Sequence, residues 1–272
     1  MFVLAGQSNM EGKGRVEHLL QLAEAADADQ NLKALRHGGQ WIARDDVWID
    51  YLDRRGPLTV GYSNRTEFFG PELLFGQRVG DHFREPVLLI KIAWGGRSLA
   101  VDFRPPGAGG TTGPSYVEMI ARVRDVLAHL PEHCPAYDPD AGHVLAGFVW
   151  FQGWNDRING AFVDEYASNL AHLVRDVRKD LGVPDLPFVI GETGQGGPDE
   201  KNVRALRLQR AQAEVAAMPE LAGTVRFVAT RTFWQQEPHF DGAYHWFGNG
   251  ANFAAIGDAF GRAMLELLGD RR

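Results

Sequence analysis

Five short apolar runs, at residues 2–5, 87–93, 144–151, 186–190 and 225–229, alternate along this chain with stretches whose apolar residues recur at helical spacing. No other feature constrains the fold as much. Strands that take turns with helices are joined by crossovers, and crossovers give a mainly parallel sheet covered by helices on both faces. The helical patterns lie at 16–28, where Leu19, Leu20 and Leu22 form the apolar side, and at 71–83, 114–130, 161–181, 199–217 and 249–268. Residues 161–181 place Phe162, Tyr166, Leu170, Leu173, Val177 and Leu181 on one face, and 249–268 does the same with Phe253, Ile256, Phe260, Met264 and Leu267. Residues 29–69, rich in glycine, aspartate and arginine, read as a long irregular excursion over the surface with a few short strands. The expected architecture is a three-layer α/β/α sandwich, one domain over residues 1–272 with an insertion at 29–69.

A formal net charge of −7 and the lack of any lysine or arginine cluster speak against nucleic-acid binding. No apolar stretch approaches the ~20 residues needed to cross a membrane. The single cysteine, Cys134, excludes an internal disulfide and any multi-cysteine metal site. The chain begins directly on its first core strand with no signal peptide. The expected compartment is therefore the cytoplasm, or the exterior if a leader has been removed.

Chemistry is expected in the turns that follow the strands. In a parallel sheet all of these open on one edge, where such folds bind ligands. After the first strand comes Gly6-Gln7-Ser8-Asn9, with Ser8 as a candidate nucleophile that needs a base to activate it. After the strand at 87–93 comes Trp94-Gly95-Gly96-Arg97-Ser98, whose paired glycines let backbone N–H groups face a developing oxyanion. After 144–151 comes Gln152-Gly153-Trp154-Asn155-Asp156, which offers a side-chain donor to the same oxyanion. Before the last helix comes His239-Phe240-Asp241-Gly242-Ala243-Tyr244-His245, a histidine base with a carboxylate to orient it. Each turn also has an ordinary structural use: Ser8 or Asn155 as a cap, Asp156 in solvent, the glycines as a tight turn, the histidines in packing. Their convergence on one edge favours acyl transfer.

The ordered set resembles the SGNH hydrolases. Ala-Gly-Gln-Ser-Asn-Met-Glu-Gly (5–12), Phe-Gly-Pro-Glu-Leu (69–73), Lys-Ile-Ala-Trp-Gly-Gly-Arg-Ser-Leu (91–99), Trp-Phe-Gln-Gly (150–153) and Asp-Gly-Ala-Tyr-His-Trp (241–246) are similar to the sialate O-acetylesterase and acetylxylan esterase branch, carbohydrate esterase family 6. The resemblance spans nearly the whole chain and implies a flavodoxin-like central sheet of the SGNH hydrolase fold. Carried over by position, it implies a catalytic triad of Ser8, Asp241 and His245. The oxyanion hole would comprise the N–H groups of Ser8 and Gly96 (or Gly95) and the side chain of Asn155. Asp241 precedes His245 by four residues where the superfamily usually has three, so Glu237 stands as an alternative acid and His239 as an alternative base. Gln152 is an alternative to Asn155, which the superfamily's Gly-x-Asn-Asp spacing favours.

The implied reaction is hydrolysis of an acetyl ester on a small sugar or polysaccharide through an acyl-enzyme, without metal or cofactor. Gln7, Gln152, Trp94, Arg97, Trp154 and Glu192 are the candidate substrate-binding residues. Phe103, Trp234 and Trp246 are further aromatics near the turns, suited to a sugar face or to the core. Arg97 and Arg104 are candidates for a substrate carboxylate. Two alternatives stand beside this reading: a lipase- or thioesterase-type SGNH hydrolase, and a catalytically silent carbohydrate-binding module. A nucleotide-binding flavodoxin-like protein is disfavoured, because no Gly-x-x-x-x-Gly-Lys run is present.

Overall fold

The computed structural model describes residues 1–269. Its centre is a seven-stranded sheet of β1 (Phe2–Gly6), β2 (Val47–Tyr51), β3 (Arg54–Pro57), β4 (Val87–Ala93), β5 (Gly147–Phe151), β6 (Phe188–Gly191) and β7 (Val225–Val228). The strands lie in the order β7–β6–β5–β1–β4–β2–β3. Every neighbouring pair is parallel except the β2–β3 hairpin at the edge.

The helices used below are α1 (Ser8–Glu11), α2 (Val16–Glu24), α3 (Glu72–Gly80), α4 (Pro114–Ala128), α5 (Gly160–Leu181), α6 (Val203–Ala216) and α7 (Gly250–Gly269). Side chains alternate across each strand, so β1 sends Val3 and Ala5 into one core and Phe2 and Leu4 into the other. The first core lies under α4, α5 and α6, the second under α2, α3 and α7. β4 is buried on both faces, hence its nearly continuous apolar run.

Local signals agree with the long helices. Asn159 caps α5 by accepting the N–H of Ala161, and Gly182 ends that helix in the left-handed region. The apolar face of α5 is rotated slightly from the expected one, with Val163 buried and Phe162 only half-buried. In α7 all five expected residues are buried. Helix α2 ends at Glu24, and Leu19 is its one buried leucine.

The principal difference from the sequence reading is at 29–69. This stretch is not only a surface excursion: it supplies β2 and β3 of the main sheet. Asp50 interrupts the apolar pattern of β2 and hides the strand. The carboxylate is nevertheless buried, because Arg122 of α4 and His133 approach it at 2.8 and 2.7 Å. The strand order also reverses at β1, between β4 and β5. The turns after these three strands meet at the switch point of the sheet.

Candidate active site

The turn after β1 is the hub of the site. Gly6 lies against β5 so closely that a Cβ there would meet the carbonyl oxygen of Phe151 at 2.1 Å. The chain then turns into α1, with Ser8 at its first position and largely buried. Three side chains of this turn reach the three other turns. Gln7 Oε1 accepts the N–H groups of Gly153 (3.2 Å) and Asn155 (3.1 Å). Asn9 Nδ2 donates to the carbonyl of Tyr244 at 3.1 Å. Glu11 accepts the N–H of Gly95 at 2.8 Å and the ammonium of Lys13 at 2.9 Å. Gln7 is thus a residue that holds the third turn in place.

In the second turn, Gly95 and Gly96 differ. The Gly95 N–H is engaged by Glu11, whereas that of Gly96 has no partner among the described residues. Gly96 has φ 69°, and a Cβ there would meet nothing within 4 Å. Arg97 is half-exposed and pairs with Asp102 at 3.0 Å. Arg104 is engaged by Glu165 and by the carbonyls of Ala100, Ala108 and Gly109. Trp94 packs on Phe103, with ring centroids 5.9 Å apart, and lines a cleft with Leu52, Asp53, Glu118 and Arg122.

The third turn is pinned from below. Gly153 has φ 152°, and a Cβ there would meet Thr193 Oγ1 at 2.2 Å, so this position demands glycine. The side chain of Asn155 has no hydrogen-bond partner among the described residues. Gln152 is turned inward instead. It donates to Arg97 O (2.9 Å) and Asp156 (2.5 Å) and accepts from Tyr166 (3.0 Å). Asp156 is fully buried rather than in solvent. Its carboxylate accepts the N–H groups of Leu99 and Ala100, both at 2.9 Å, and so shapes the second turn. Burial raises its carboxyl from 3.8 to about 6 against the pull of these donors.

The fourth turn carries His245, the candidate base. Asp241 Oδ2 lies 2.7 Å from His245 Nδ1. Burial holds the His245 imidazole below its ordinary 6.5; Asp241 opposes this shift and the Lys13 charge adds to it. Glu237 is exposed and its carboxylate lies 3.8 Å from His239, which stacks on Phe247. Immediately after His245, Trp246 and Phe247 adopt left-handed conformations with φ 53° and 56°. For bulky residues these cost about 1–2 kcal/mol each. Trp246 is buried against Trp234, so both belong to the packing beneath the loop. Trp154, with the Arg157 guanidinium 3.6 Å from its ring, forms an aromatic rim with Tyr244 at 5.8 Å.

Several residues that support the site were not singled out from sequence. Lys91 and Glu72 form a fully buried ion pair at 2.7 Å, and Lys91 also donates to the carbonyls of Glu11 and Tyr62. The one signal for it was a lysine inside an otherwise apolar strand. Glu192 is fully buried and is held by Arg231 at 2.7 Å. Among the described residues no group of three or more His, Cys, Asp or Glu side chains is placed to hold a metal ion, and no helix is long and apolar enough to cross a membrane.

A probable carbohydrate esterase of Arabidopsis thaliana is 22% identical over 223 residues, which cover 76% of this chain and 74% of that one. An X-ray structure of an Arabidopsis thaliana protein superposes with a TM-score of 0.65 at 17% identity, covering 97% of this chain and 96% of the other. A carbohydrate acetylesterase from Xanthomonas citri gives a TM-score of 0.58 at 17% identity, covering 96% of this chain but 55% of its own. These likenesses show a shared fold, an α/β sandwich around a mainly parallel sheet. The model of the family described as carbohydrate esterase, sialic acid-specific acetylesterase matches residues 1–249. The chain belongs to that family and is a carboxylic ester hydrolase of the carbohydrate acetylesterase class.

Proposed function

We propose that the chain removes acetyl groups from carbohydrate esters by a Ser8–His245–Asp241 mechanism. The observation that carries the reading is the 2.7 Å contact between Asp241 and His245 Nδ1, on a loop that Asn9, the neighbour of Ser8, ties to the nucleophile turn. With Nδ1–H directed to Asp241, Nε2 is the ring atom left to accept a proton. His245 takes the Ser8 hydroxyl proton as Oγ bonds to the acetyl carbon. The resulting oxyanion is held by the Ser8 and Gly96 N–H groups and by the Asn155 side-chain amide, none of which is engaged among the described residues. Collapse breaks the bond to the sugar oxygen, which leaves with the proton from His245. Water, deprotonated by His245, then releases acetate from Ser8.

Trp154 and Tyr244 form an aromatic wall suited to a sugar ring. Of the two arginines beside the second turn, Arg97 is the better placed for a substrate carboxylate, because Arg104 is fully engaged by its neighbours. The test is hydrolysis of 4-nitrophenyl acetate, acetylated xylan and 9-O-acetyl sialic acid by wild type and Ser8→Ala. Activity abolished by the substitution is the expected result. A Ser8→Ala protein as active as wild type overturns the reading, and the preferred sugar ester identifies the substrate.

A further inference from the structure

We infer that Asn9 and Gln195 are positioning residues for the general base, holding the carbonyl of Tyr244 and through it setting the reach of His245 to Ser8. The inference rests on the esterase reading above and deepens it. Two amides from different elements converge on this carbonyl: Asn9 Nδ2 at 3.1 Å from α1, and Gln195 Nε2 at 3.2 Å from the loop after β6. That loop is itself fixed by α6, since Gln212 accepts the N–H of Thr193 and Gln209 donates to its carbonyl. The clamp therefore has a rigid base on each side. On the far side of His245, Asn252 of α7 donates to the carbonyl of Trp246 at 3.3 Å. The histidine is thus held between two anchored peptide groups.

The manner in which these amides are buried points away from a role in stability. Asn9 and Gln195 are 3% and 2% exposed, and Asn9 Oδ1 and Gln195 Oε1 are buried with no partner. Among the described residues each side chain makes a single hydrogen bond, to Tyr244 O, and leaves its oxygen unsatisfied. A residue kept for packing alone would be better as an apolar side chain of similar shape. The bonds sit at the entrance to the segment where Trp246 and Phe247 are strained, and such strain persists only where surrounding contacts over-determine it.

The test measures kcat and KM on 4-nitrophenyl acetate, together with melting temperature, for wild type, Ser8→Ala, Gln195→Met and Asn9→Ala. A misplacement of the base by about 1 Å is expected to lower kcat by up to about 10²-fold with KM unchanged. Gln195→Met, which removes the unsatisfied oxygen and keeps the volume, is expected to melt no lower than wild type. A double variant that combines Asn9→Ala with Gln195→Met, measured alongside, is expected to lose less than the product of the two single effects, because both side chains act on one carbonyl. The NMR signal of the His245 Nδ1–H should persist, showing that the pair with Asp241 is intact. Full kcat in both single variants overturns the clamp, as does a kcat loss that only follows a fall in folded fraction. An active Ser8→Ala protein overturns the esterase reading itself.

Discussion

The Asp156 carboxylate accepts the backbone N–H of Leu99 at 2.9 Å, across 57 residues of sequence. Through this bond, and its counterpart at Ala100, the third turn dictates the course of the second. Replacing Asp156 with alanine should lower stability by about 2–3 kcal/mol, because buried donors are left without an acceptor. It should also lower turnover, because the Gly96 N–H loses its support. Urea denaturation and kcat of the same preparation check both effects.

The same carboxyl gives a pH signature. Because its folded value of about 6 lies above the ordinary 3.8, the folded state binds the proton more tightly than the unfolded one between those values. Its contribution to stability is therefore present at low pH and falls as pH rises through 6. The stability of wild type relative to Asp156→Asn should decline between pH 4 and pH 6.5, as read from urea midpoints. A pH-independent difference would refute the assignment.

Asn155 and Gln152 should respond in opposite ways to substitution. The Asn155 side chain has no hydrogen-bond partner among the described residues, so Asn155→Ala should leave melting nearly unchanged and lower kcat by roughly 10²–10³-fold. Gln152 is engaged by Arg97, Asp156 and Tyr166, so Gln152→Ala should cost about 1–3 kcal/mol of stability. Steady-state kinetics beside thermal melting separates the two.

His245, held below 6.5 by burial, should place the acid limb of the kcat/KM profile below pH 6.5. Asp241 opposes that shift, so Asp241→Asn should move the limb lower still and reduce kcat by roughly 10²–10⁴-fold. Removing the Lys13 charge with Lys13→Met should move it upward. A limb that ignores all of these changes would mean that His245 is not the titrating base.

The Lys91–Glu72 pair should show the asymmetry of a buried charge pair. Lys91→Met alone strands the Glu72 carboxylate and should cost about 3–5 kcal/mol. Adding Glu72→Leu should recover part of that loss, since the orphaned charge is then gone. Equilibrium unfolding of the two single variants and the double variant tests this.

Some of this protein was determined by sequence alone. The alternation of apolar runs with helical stripes dictates a parallel sheet in two helical layers, because each element has one way to bury its apolar side chains. The glycine-bearing turns after β1, β4 and β5 were legible for the same reason, since they end strands that share an edge. Asp50, Lys91 and Asp156 were not. Each is a charged residue whose type favours solvent, and each is buried because partners distant in sequence supply its counter-charge or donors. Likewise, that Asp241 rather than Glu237 lies against His245, and that the N–H of Gly95 rather than that of Gly96 meets Glu11, depends on the tertiary structure. Periodicity records which face of an element is apolar. Which polar groups meet at the edge of the sheet depends on strand order, and that exists only once the sheet has formed.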